Sequence, residues 1–240
     1  MPVLSAAQLL GVWELGSGWS MPRRALALLA AGFPERDRGE LAALSVGHRD
    51  DLLLQLREYL FGATVTVVDA CPACAAALES TLRIADLRSD ATLPQREYTL
   101  VVDDRRIAFH PPTAADLIDL PEEPAAARLA LLTRCVHQPN GADAAHAPMF
   151  SARAIDAIEQ AMCAADPRAD CELAFTCPAC ANRWQGAFDI VQVLWREIDA
   201  WAQRILRDVH VLARSYGWGE TDILALSPTR RQLYLQMCRP

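Results

Sequence analysis

The chain contains no lysine; its 23 basic side chains are all arginine. Schiff-base chemistry and a lysine general base are therefore excluded. It also lacks an HExxH pair, a Gly-x-Ser-x-Gly elbow and a phosphate-cradling glycine loop. The five histidines, His48, His110, His137, His146 and His210, are scattered, and His210 reads as a core or boundary residue of a helix. Asp103-Asp104 and Glu122-Glu123 fall at a turn and a helix start, where turn geometry and the helix dipole favour acids. No catalytic set emerges, so the sequence reads as non-enzymatic, with no small-molecule substrate.

Long apolar runs are missing as well. Stretches such as residues 25–31 fall short of the roughly 20 residues that a membrane span needs, so no membrane association is expected. No basic segment precedes the apolar residues of the N-terminus, which argues against a secretory signal and for a reducing cytosol, where eight cysteines stay out of disulfides. A net charge of −7 argues against a general affinity for nucleic acid, whose phosphates need a basic face. What the chain does have is apolar content, 52% over 240 residues, enough for one substantial core or two small ones.

The apolar spacing predicts an α+β, mainly helical fold. Three or four short helices fill residues 1–62, one of them capped by Ser45 and ending at Phe61-Gly62, another broken at Gly32-Phe33-Pro34. Period-two patterns then run into and out of Cys71-Pro-Ala-Cys74, residues 64–68 before it and Leu78 to Ile84 after it, and a second hairpin is expected around Asp103-Asp104. A helical insertion is expected over about 113–166, with Thr113 capping a helix at 114–120, a helix at 124–136 presenting Leu129, Leu132 and Val136, loops at 88–95 and 137–148, and a helix at 151–165. Leu194, Ile198, Trp201, Ile205, Val209 and Leu212 predict one long helix over 190–215, stopped at Gly217 and followed by two short helices, the last starting Ser227-Pro228. Three blocks follow: 1–62 helical, 63–189 a zinc-ribbon-like β core carrying the insertion, and 190–240 helical.

The two Cys-Pro-Ala-Cys knuckles, Cys71/Cys74 and Cys177/Cys180, share a context, since residues 65–87 and 172–194 each read strand, knuckle, strand, acid, apolar. Thiolates two residues apart on a tight turn reach one ion at about 2.3 Å, so each knuckle supplies half a tetrahedron and the pair predicts one structural zinc. Three other uses compete with it. A thioredoxin-like redox pair needs a single CxxC at a helix N-terminus. Burial as small hydrophobes suits some of Cys135, Cys163 and Cys238. One zinc per knuckle would need Cys171, Cys163 or a histidine to complete each set.

Residues 209–235 run His210-Val-Leu-Ala, then Tyr216-Gly-Trp218, an acid, Ile223-Leu224, and Arg230-Arg231-Gln-Leu-Tyr234-Leu. This pattern resembles the C-terminal signature of the baseplate hub assembly chaperone family of T4-like phages and related contractile injection systems. Residues 108–117, with Pro-Thr and Asp-Leu, and the Leu-Leu-Thr-Arg-Cys run at 131–135 are similar to elements of that family, and the paired knuckles with Phe188-Asp189 after the second are similar to its long, zinc-bearing members. The resemblance implies an assembly role, with baseplate or tail proteins of a phage-like particle as partners, in the cytoplasm of a bacterial or phage-infected cell. It places partner contacts at Tyr216, Trp218, Arg230, Arg231 and Tyr234. Those residues have structural readings too: the aromatic turn closing a helical hairpin onto the core, and the arginines solvated or pairing with a helix dipole. The knuckles also leave a zinc-ribbon nucleic-acid binder as an alternative, for which only Arg183 and Trp184 follow the second knuckle closely.

Overall fold

The computed structural model describes residues 4–88, 94–137 and 150–238. In chain order it runs through helices α1 (Ala6–Gly16), α2 (Met21–Gly32), α3 (Arg38–Ala42) and α4 (Val46–Phe61), strands β1 (Thr64–Ala70) and β2 (Ala77–Arg83), and the single turn α5 (Ile84–Leu87). Strands β3 (Tyr98–Val102) and β4 (Arg105–Phe109) follow, then helix α6 (Pro124–Cys135), which runs directly into β5 (Val136–His137), and helix α7 (Ala152–Ala165). Strands β6 (Glu172–Thr176) and β7 (Arg183–Ala187) lead to helices α8 (Ile190–Tyr216), α9 (Glu220–Ala225) and α10 (Pro228–Met237). The fold is mixed α/β, rich in helix, with small antiparallel sheets.

Helix starts follow side-chain chemistry. Ser5, Asp37, Ser45, Glu123, Ser151 and Ser227 each accept a hydrogen bond from a first-turn amide of the helix they precede, and Ser5 and Gln8 form a reciprocal capping box. Gly217, at φ +70, supplies the left-handed residue that ends α8.

The chain forms two units, residues 1–36 with 191–240, and residues 37–190. The blocks expected from sequence, 1–62, 63–189 and 190–240, do not coincide with them: α1 and α2 group with the C-terminal helices, and α3 and α4 group with the strands. Chain continuity suggested the first grouping, whereas packing of apolar faces produces the second. In the first unit Leu10 of α1 meets Ala202 and Ile205 of α8, joined by Trp13, Trp201 and Leu224. Trp13 Nε1 donates to Asp199 Oδ1 at 2.8 Å, and the Arg24 guanidinium lies 4.4 Å above the Trp195 ring. Along α8, Leu194, Ile198, Ile205 and Leu212 of the expected stripe are fully buried, Trp201 and Val209 are half-buried, and Ala202 is fully buried beside them. His210, expected at a core or boundary position, is exposed.

In the second unit, β3, β4 and β5 form one antiparallel sheet, with Val102, Ile107, Phe109 and Val136 packed against Leu132 of α6 and Ile158 and Met162 of α7. The knuckle hairpins β1–β2 and β6–β7 are separate two-stranded sheets. Two expectations need correction here. Residues 114–119 form successive turns and not a helix: the amides of Ala114 and Ala115 donate to Leu44 and Ala42, and Asp119 adopts φ +53. Leu129 is 48% exposed although Leu132 and Val136 are buried: the buried face of α6 carries Leu132 and Cys135, and Val136 already belongs to β5. Of the loops read from sequence, residues 89–93 and 138–149, His146 included, lie outside the described residues.

Candidate metal centre

The two knuckles are built by the same backbone bonds. Cys71 N–H donates to Ala76 O and Ala75 N–H to Cys71 O; Cys177 N–H donates to Asn182 O and Ala181 N–H to Cys177 O, all at 2.8–3.0 Å. The residue after each motif takes the same left-handed conformation, Ala75 at φ +58 and Ala181 at φ +59, at a cost of about 1–2 kcal/mol for a residue with a Cβ. Each knuckle therefore joins two strands, and neither stands at the helix N-terminus that a redox pair requires.

The four thiols converge across the two hairpins. Cys71 Sγ lies 3.7 Å from Cys180 Sγ, Cys74 Sγ lies 3.6 Å from Cys177 Sγ, and all four sulfurs fall within 4.8 Å of one another. A tetrahedron with bonds of about 2.3 Å has edges of about 3.8 Å, so the spacing suits one metal ion. It is far beyond the roughly 2.05 Å of a disulfide. Cys71 and Cys177 are each 2% exposed, while Cys74 and Cys180 form the outer side of the group. Among the described residues no histidine, acid or fifth cysteine joins either knuckle, and Cys163 and Cys171 lie apart from the group, which disfavours a separate ion at each knuckle.

The chemistry of the thiols fits a metal waiting to replace protons. Burial opposes ionisation of Cys71, but the amides of Ala73 and Cys74 and the neighbouring thiols outweigh it and bring this group down to about 6. The Asn182 amide favours the thiolate of Cys180, yet the adjoining sulfurs and burial prevail and push it up to about 12. Cys74 is also raised, its own amide partner Ala76 being outweighed by Cys177, burial and Cys71. One thiolate is thus stabilised at the expense of its neighbours, the expected behaviour of like charges sharing a site. The side-chain Nδ2 of Asn182 stands 4.0 Å from Cys71 Sγ, beyond the four sulfurs.

A second contact ties the hairpins together beside the thiols. Trp184 Nε1 on β7 donates to Asp69 Oδ2 on β1 at 3.0 Å, and its ring stacks on Phe175 of β6 with centroids 5.3 Å apart. Gly186 makes room for this arrangement: a Cβ there would come within 2.9 Å of the Phe175 ring and 3.0 Å of the Asp69 carboxylate. Sequence reasoning missed the link, though the internal echo held a clue. Asp69 stands where the second knuckle has Phe175, and Leu78 stands where it has Trp184. The echo breaks at the positions that make the cross-link.

Another donor group, His110, Asp116 and Cys135, lies within 4.8 Å. It reads as a hydrogen-bonded turn. Asp116 Oδ2 accepts from Thr113 N and Oγ1 at 2.8 and 2.6 Å, and the His110 ring nitrogens stand against Pro111 O and Arg134 O. Burial, chiefly, pushes the Cys135 thiol up to about 12.

Of the expected partner residues, three come together. Tyr216 stacks on Trp218 at 4.6 Å between centroids, and Tyr234 meets both rings edge-on at 5.8 and 4.9 Å. Arg230 is exposed. Arg231 is a correction: expected at the surface, it is 8% exposed, with Nε 3.4 Å from Asp208 Oδ2. The turn of the chain at Ser227 brings it against α8, a relation invisible in local spacing.

Fold and site together define a mixed α/β protein with a four-cysteine group suited to a metal ion. No family model, no curated protein and no solved structure matches the chain.

Proposed function

We propose that Cys71, Cys74, Cys177 and Cys180 hold one zinc ion as a zinc-ribbon-like staple, and that the protein is a non-enzymatic assembly factor or structural component of a phage-tail-like baseplate. The convergence of two paired thiol knuckles carries the first half. Four thiolates close the coordination sphere and leave no position for water or substrate, so the ion's work there is to hold β1–β2 against β6–β7. Each knuckle contributes two ligands, and the Asp69–Trp184 bond orients one hairpin on the other.

The second half is supported by the resemblance of residues 209–235 to baseplate assembly chaperones, and by the apolar side chains left in solvent along the C-terminal helices. Val211, Tyr216, Leu233 and Met237 are 38%, 38%, 50% and 70% exposed. Leu233 and Met237 share one face of α10, a disposition suited to docking on another protein. Co-purification with tube, sheath and baseplate subunits of a phage-like particle tests this reading. Recovery as a monomer that ignores every such subunit contradicts it.

Nucleic-acid binding is the weaker alternative, because the Trp184 N–H is engaged by Asp69 and one face of its ring is taken by Phe175. Salt-dependent binding of DNA or RNA at near-physiological ionic strength would reinstate it.

A further inference from the structure

The first unit is basic although the chain is acidic: residues 1–36 and 191–240 hold ten arginines and seven acids, within a protein of net charge −7. Part of that excess gathers in one concavity of about 390 Å³, lined by Trp201, Arg204, Ile205, Arg207 and Asp208 of α8 and by Arg231 and Gln232 of α10. Three arginines and one acid line it. Asp208 reaches only Arg231, at 3.4 Å. Arg207 Nε donates to the Gln203 carbonyl at 2.9 Å, and neither Arg207 nor Arg204 pairs with an acid among the described residues.

Arg231 is the telling group. It is more than nine-tenths buried, and its Nη1 has no hydrogen-bond partner. A buried, charged donor without an acceptor is costly, and the cost disappears if an acceptor arrives from outside. We infer that this concavity is a recognition pocket for an oxyanion, the carboxylate of an aspartate or glutamate side chain on a partner protein. The inference deepens the assembly reading and rests on it for the partner's nature.

The carboxylate follows from the pocket's composition. The planar guanidinium fork matches a carboxylate in two-point geometry. Trp201 and Ile205 supply an apolar wall for the methylene stem of an acidic side chain. Asp208 stays in the pocket as a negative neighbour, which a singly charged carboxylate tolerates better than a doubly charged phosphate.

Arginine Nε–Hε correlation spectra of the full chain, recorded at low salt, test the pocket without any client. The probes are an acetylated Ala-Glu-Ala amide, its Gln counterpart, and inorganic phosphate. The Glu peptide is expected to shift the Arg204, Arg207 and Arg231 signals saturably, with a dissociation constant in the low millimolar range, while the Gln peptide leaves them in place. Arg204→Gln and Arg207→Gln, both at exposed positions, are each expected to weaken binding about threefold to tenfold with an unchanged unfolding midpoint, so the test does not depend on a variant of the buried Arg231. Absence of any saturable shift by about 50 mM Glu peptide would overturn the inference. Phosphate binding about tenfold tighter than the Glu peptide would overturn it too, and would mark the pocket for phosphate or nucleic acid. If the peptide shifts appear but no baseplate subunit co-purifies, the pocket stands and the assembly reading fails.

Discussion

Replacing Trp184 with phenylalanine removes one hydrogen-bond donor and keeps the ring. The indole N–H donates to the half-buried carboxylate of Asp69 at 3.0 Å, linking the hairpin that carries Cys177 and Cys180 to the one that carries Cys71 and Cys74. A hydrogen bond to a charged group contributes about 1.5–3 kcal/mol when buried, and partial exposure of Asp69 places this one near the lower end, at about 1.5 kcal/mol. Stacking on Phe175 survives in the variant. If the bond pre-orients the two half-sites, its loss falls on metal affinity, and about 1.4 kcal/mol is tenfold in a binding constant. Competition with a chromophoric chelator at pH 7.4 should therefore show zinc bound about tenfold more weakly by Trp184→Phe, in line with outer-shell substitutions elsewhere. Asp69→Asn should have a smaller effect, because the amide oxygen still accepts, and the double variant should lose less than the sum of the two. An unchanged zinc affinity in Trp184→Phe would refute the idea that this bond positions the site.

Metal binding should displace at least the protons of Cys74 and Cys180, both raised above the ordinary thiol range, so zinc affinity should climb by at least about a hundredfold per pH unit near neutrality. The sign is fixed by these two groups: they are protonated in the metal-free protein below their raised values, so acid favours release of the ion. A slope below one decade per pH unit, measured by chelator competition between pH 6.5 and 8, would contradict the four-thiolate site. Gly47→Ala should destabilise the second unit by about 2–4 kcal/mol in urea unfolding, since its Cβ would run into the Asp166 carboxylate and displace it from the Gly47 amide that it accepts from at 2.8 Å. Gly11→Ala is the matched control: open space surrounds that position in α1, and helix propensity should stabilise the first unit by up to about 1 kcal/mol.

Local signals explain what could be read in advance. Ser45 and Ser227 cap where they were expected to, and Gly217 stops α8, because capping and left-handed turns depend on a few adjacent residues, whereas Thr113 precedes turns and not the helix expected of it. The spacing of Leu194, Ile198, Ile205 and Leu212 was legible because one apolar stripe covers the whole of α8. The thiols were legible because a tight turn fixes the separation of two ligands and the motif occurs twice. Long-range partnerships were not. Nothing in residues 114–120 announces that their amides will be claimed by Leu44 and Ala42, and a two-residue strand such as β5 is too short to carry a period. The grouping of α1 with α8, the Asp69–Trp184 bond and the burial of Arg231 against Asp208 each join residues far apart in the chain, where pattern carries no register.

Metal content is the most direct measure of the central claim. The folded, unchelated protein should carry one zinc per chain by elemental analysis, and stripping it with a chelator should loosen the knuckle hairpins, seen as loss of amide protection in β1, β2, β6 and β7. Fewer than about 0.5 zinc per chain in a folded sample, or hairpins whose protection is indifferent to the chelator, would contradict a zinc staple built from Cys71, Cys74, Cys177 and Cys180.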